Sequence, residues 1–114
     1  MKRIMARVAA LLAVMAGMVV TAQAADWRAG RGLALRHCGK CHVIPGEEID
    51  KAQPAAGAPS FAAMAADRER YNDEQVAAFL SKPHYPMQAI VLSKRDIANV
   101  IAWINHIREG RGGK

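Results

Sequence analysis

Cys38-Gly39-Lys40-Cys41-His42 contains both cysteines of this 114-residue chain, three positions apart and followed at once by a histidine. Such spacing places two thiols on one turn of backbone with an imidazole beside them. A redox-active dithiol wants a βαβ surrounding, and no strand alternation occurs along the chain. A zinc centre needs a second Cys or His pair at ligand spacing, and the sequence has none. Two cysteines are also far below the roughly 8–10% that a disulfide scaffold uses. The order C-x-x-C-H suits covalent attachment of a c-type haem: each thiol adds to a vinyl group on one edge of the porphyrin, and the next residue's imidazole falls beneath the iron.

The first 24 residues decide where that chemistry takes place. Lys2, Arg3 and Arg7 form a basic head, Val8 to Val20 is an almost wholly apolar run of 13 residues, and Ala22-Gln23-Ala24 offers small residues where a signal peptidase reads them. The pattern predicts a cleaved secretory signal over residues 1–24, a cut before Ala25, and a single domain over residues 25–114. The apolar run falls short of the roughly 20 residues a membrane-spanning helix needs, which sets aside the alternative of a retained anchor. Cleavage leaves 90 residues whose 13 Lys and Arg face 10 Asp and Glu, so the formal charge falls from +6 to +3 and the case for nucleic acid weakens. The 52% of hydrophobic residues excludes a disordered chain. Ninety residues nevertheless make a marginal core, burying about 60–65% of the unfolded surface, so the haem is expected to complete it.

A second axial ligand would restrict the iron to electron transfer, whereas an open position would admit gas or peroxide chemistry. His37 adjoins the attachment motif and cannot easily reach the opposite haem face; His106 lies in the last helix, where a solvated or core role is expected. Met87 is favoured because it follows Pro83-His84-Tyr85-Pro86, whose prolines fix an irregular backbone, and precedes a helix start at Ser93. His84, Met64 and an open site are the alternatives. Met64 stands three residues after Phe61 on a short helix and is expected to pack against the ring.

The remaining pattern is helical. Asp26 is a candidate N-cap for a helix from Trp27 to about His37, with Gly30 and Gly32 inside it marking a close approach by another group. Residues 43–60, with three prolines and two glycines, read as an irregular loop around the haem edge. Asn72 or Asp73 caps a helix through Leu80 that Pro83 ends. Ser93-Lys94-Arg95-Asp96 approximates a capping box with Asp in place of Glu or Gln. Behind it Ile97, Val100, Ile101, Ile104 and Ile107 share one face bordered by Trp103, and Gly110 closes the helix.

On these residues the chain resembles a small class I cytochrome c, over nearly all of residues 25–114. The resemblance rests on Cys38-x-x-Cys41-His42, on the late Met87, and on the aromatic in Ile101-Ala102-Trp103-Ile104. It implies an all-α cytochrome c fold of three to five short helices around one covalently attached haem. It further implies that Gly30 lets the first helix cross the last beside Trp103. Pro59 matches the loop proline whose carbonyl accepts a hydrogen bond from the proximal imidazole, here His42. The chain departs from the family at Ala34, where an aromatic is usual, so first-helix packing falls to Trp27, Leu33 and Leu35. The segment from His42 to Pro59 matches no family pattern, which leaves the propionate contacts unassigned.

The function implied is that of a periplasmic, monomeric electron carrier with no substrate chemistry of its own and no stable membrane insertion once the signal is removed. His/Met ligation favours ferrous iron and raises the potential relative to bis-His ligation. Its partners are redox proteins with acidic surfaces if Arg36, Lys40, Lys82 and Lys94 ring the haem edge; those charges are equally compatible with an even spread over all faces. Two alternatives share the motif: a haem c subunit of a periplasmic dehydrogenase or oxidase complex, and a haem enzyme or sensor with an open iron site.

Overall fold

The computed structural model of the chain describes residues 23–47, 57–82 and 90–112. Residues 1–22, where the export signal is expected, residues 48–56 in the middle of the expected 43–60 loop, and the stretch holding His84 and Met87 lie outside the described residues. Among the described residues there are four α-helices: α1 (Trp27–Leu33), α2 (Phe61–Ala66), α3 (Asp73–Leu80) and α4 (Lys94–Arg108). No strand occurs among the described residues. The all-α expectation therefore holds, and α4 is the element against which the other three pack.

Each helix starts where a side chain satisfies an orphaned amide. Asp26, Ser60, Asn72 and Ser93 accept from Arg28, Ala63, Gln75 and Asp96 respectively. At α4 the box is reciprocal, since the Asp96 carboxylate also accepts from the Ser93 backbone N–H at 3.1 Å. Gly110, at φ +74°, takes the left-handed position just beyond α4.

The first helix differs from expectation at its end. It is α-helical only to Leu33, and Ala34–Cys38 continues as a π-helical turn in which Gly39 N–H reaches back to Ala34 O at 2.9 Å. The turn delivers Cys38 from a widened coil, an irregularity that tends to mark functional positions.

Two packing features depart from the sequence reading. Trp103 does not border the buried face of α4; at 1% exposure it is the most enclosed large side chain, surrounded by Val100 and Ile104 of its own face. Ala34 is wholly buried, so the small residue in place of an aromatic is a packed core position, while Trp27, Leu33 and Leu35 cover the core from partly exposed sites. Gly30 lies directly on α4: a β-carbon there would stand 1.9 Å from Asn99 O. Gly32 meets only the end of the Arg36 side chain, at 3.2 Å, so the expected close approach is confined to Gly30.

Long-range polar contacts fix the arrangement. Asn99, buried within the apolar face of α4, accepts from the Asp26 backbone N–H at 2.8 Å and so holds the start of α1. Arg108 donates to Ala65 O at 2.9 Å and to Tyr71 O at 2.8 Å, joining the ends of α2 and its following turn to α4. Its guanidinium also contacts Asn105 Oδ1 and lies 3.9 Å from the Asp73 carboxylate at the start of α3. His106 stacks on Trp27 with ring centroids 3.7 Å apart and planes 8° from parallel, which assigns it to the α1/α4 seam.

Candidate functional site

The backbone after the π-turn folds back on itself. Cys41 N–H and His42 N–H both donate to Cys38 O, at 3.0 and 2.9 Å, so the two thiol-bearing residues and the histidine occupy one tight turn. Both cysteines are half-buried and neither forms a disulfide. Burial pushes the Cys38 thiol up, and the neighbouring Cys41 adds to that shift, because a thiolate would lose hydration and meet a second sulfur of like charge.

The histidine is held by the segment before α2, seventeen positions on in sequence. His42 Nδ1 lies 2.7 Å from Pro59 O; a carbonyl can only accept, so Nδ1 carries a proton and Nε2 is the ring nitrogen left for a metal. Two residues on, Phe61 N–H donates to Val43 O at 3.0 Å, closing a second link between the same two segments. Ser60 between them caps α2. The Phe61 ring is buried and stands at 76° to the His42 imidazole with centroids 6.0 Å apart.

Among the expected site residues, then, Cys38, Cys41, His42 and Pro59 come together, and Met64 lies half-buried against the core beside them in sequence order. Met87 and its alternative His84 fall outside the described residues. Phe79 at 56% and Val91 at 88% are the most exposed large apolar side chains described, and both border the sequence segment that carries Met87.

The donor set fits a haem. Paired thiols three residues apart and an imidazole with its Nδ1 engaged and Nε2 available are what a covalently attached macrocycle with an axial histidine requires. Arg36, Lys40, Lys82 and Lys94 are all exposed. Arg36 and His37 lie near enough to Asp96 to help lower its carboxyl, which places the basic end of the π-turn beside the start of α4.

Sequence reasoning missed Phe61 as a neighbour of the imidazole, and Glu47, which pairs with Arg31 at 2.7 Å and ties the loop that follows His42 to α1. A buried-type aromatic two positions after Pro59 was the available signal for the first. For the second there was none, because the partners lie on different elements.

A family model described as cytochrome c matches residues 27–108. A curated relative, cytochrome c-552 of Bradyrhizobium diazoefficiens, is 35% identical over 98 residues, covering 86% of this chain and 90% of that protein. No solved structure matches the chain.

Proposed function

Since this chain belongs to the cytochrome c family and carries covalently attached haem c, we propose that it is a periplasmic one-electron carrier, its haem tethered by Cys38 and Cys41 and ligated by His42 and Met87. When bound, the haem supplies the ferric/ferrous couple. The observation that carries the assignment is the 2.7 Å contact between His42 Nδ1 and Pro59 O, because it presets the tautomer that leaves Nε2 for the iron. Pro59 thereby makes the imidazole a stronger electron donor as well as fixing its direction.

Cys38 and Cys41 contribute the two sulfurs from one turn of backbone, so attachment and the histidine ligand come from five consecutive residues, and Met87 comes from a later segment. Met87 supplies the soft thioether that stabilises the reduced state. With His42 and Met87 both held by the iron, little would have to rearrange on electron arrival, and small molecules would be kept from the metal. Exposed Arg36, Lys40, Lys82 and Lys94 favour encounter with a redox partner bearing an acidic surface. Residues 1–24 act as an export signal, and no helix among the described residues is long and apolar enough to cross a membrane.

An absorption spectrum of the purified ferric holoprotein tests the ligand set. The weak red-end band of thioether-to-iron ligation should be present, survive Met64→Ala and vanish in Met87→Ala; its persistence in Met87→Ala overturns the assignment of Met87. Mass spectrometry of the exported protein should place its first residue at Ala25, and an intact residue 1 would overturn the signal assignment.

A further inference from the structure

We propose that Phe61 is a positioning residue for the His42 imidazole, setting the rotation of the ring about its bond to the side chain and hence the plane it presents to the iron. The inference rests on the ligation of His42 proposed above. A single hydrogen bond from Nδ1 to Pro59 O fixes the tautomer and the direction of one ring edge, but leaves the ring free to tilt about the line of that bond. The Phe61 ring removes that freedom. It stands near-perpendicular to the imidazole, at 76° with centroids 6.0 Å apart, which is the favoured edge-to-face relation of two aromatic rings.

Phe61 is itself unable to yield. Its side chain is 3% exposed in the core with Ala34, Ile44 and Ala65. Its backbone N–H is bonded to Val43 O, the residue after His42, and it is the first residue of α2, whose cap Ser60 is bonded to Ala63 N–H at 3.0 Å. Residues 42–43 and 59–61 thus form a double clasp, side chain to backbone at one link and backbone to backbone at the other. Tilting the imidazole requires displacing a core aromatic at the head of a capped helix. The consequence is electronic: the plane of an axial imidazole decides how the unpaired spin of low-spin ferric iron is distributed over the macrocycle, and the four haem methyl proton resonances report that distribution.

Proton NMR of the ferric holoprotein, unaltered and as Phe61→Leu, tests the proposal, with Asn99→Ala as a control that removes the Asp26 contact in the same core without touching His42. Phe61→Leu keeps an apolar side chain of similar bulk and leaves the backbone link to Val43 available. The expected result is a change in the order or spread of the methyl resonances in Phe61→Leu, with the haem still low-spin, and an unchanged pattern in Asn99→Ala even where its melting temperature falls as far. An identical pattern in Phe61→Leu and the unaltered protein overturns the proposal, as does an equal change in both variants. Should Phe61→Leu not fold, nuclear Overhauser contacts between the Phe61 and His42 ring protons in the ferrous unaltered protein must be present, and their absence is equally decisive against it. Failure of the underlying ligation shows differently: the His42 ring protons of the unaltered ferric protein would then carry no paramagnetic shift.

Discussion

Asp96 accepts twice from Ser93, from the backbone N–H at 3.1 Å and from the hydroxyl at 2.6 Å, while its own N–H is capped by Ser93 Oγ. Those bonds to Ser93, with lesser help from Arg36 and His37, hold the carboxyl below the usual carboxylate range. The folded chain therefore releases this proton more readily than the unfolded one. Its contribution to stability is complete above the ordinary carboxylate value of about 3.9 and drains away as the pH falls through the depressed value. Asp96→Asn should accordingly flatten the acid limb of a stability-against-pH curve in that window and leave the neutral region's shape intact; superimposable acid limbs would count against the box as the source. Ser93→Ala should cost about 1 kcal/mol at neutral pH through loss of the cap. This device was legible because its parts lie within four residues. Asn99 and Arg108 were not, since their partners stand 73, 43 and 37 positions away and nothing local distinguishes them from surface polar residues.

At the scale of elements, two glycines of α1 that look alike in sequence do different things. Gly30 is the point at which α1 rests on the backbone of α4, with no room for a methyl group beside Asn99 O, whereas Gly32 faces only a flexible guanidinium. Gly30→Ala must push the helices apart along a seam that also contains the Trp27, Trp103 and His106 stack, and should cost about 3 kcal/mol or more. Gly32→Ala should instead raise stability by up to about 1 kcal/mol through helix propensity alone. Denaturant unfolding of the two holoproteins distinguishes them, and similar losses in both would refute the assignment of the crossing to Gly30. Helix existence and caps were readable from periodicity and from Asp26, Asn72 and Ser93. The π-turn at Ala34–Cys38 was not, because no residue type or spacing in that stretch marks the switch from a four- to a five-residue hydrogen bond. Burial of Trp103 was missed because the apolar period of α4 runs through its isoleucines and Val100, whereas the stacking of Trp103 on Trp27 of α1 is a tertiary contact that no local pattern marks.

For the molecule as a whole, the balance of core against chain length makes the cofactor part of the fold. The described core is a thin cluster of eight buried residues, two of them the alanines Ala34 and Ala65, and the buried Trp103 N–H meets no acceptor among the described residues. Against this stands a conformational entropy cost of about 1–2 kcal/mol for each ordered residue. Three of the four helices among the described residues have eight residues or fewer, well below the length at which an isolated helix persists in water. They must be held by packing, and the macrocycle tethered at Cys38 and Cys41 adds apolar surface that the side chains lack. Cys38→Ala combined with Cys41→Ala removes the tether while leaving every cap, the Gly30 crossing and the Arg108 contacts in place. Far-ultraviolet circular dichroism of that variant should show loss of most of the helix signal, with residual ellipticity arising from α4, whose 15 residues and capping box make it the most self-sufficient element. Native-like helicity would mean that the side-chain core suffices alone and that the bundle folds before the haem is attached.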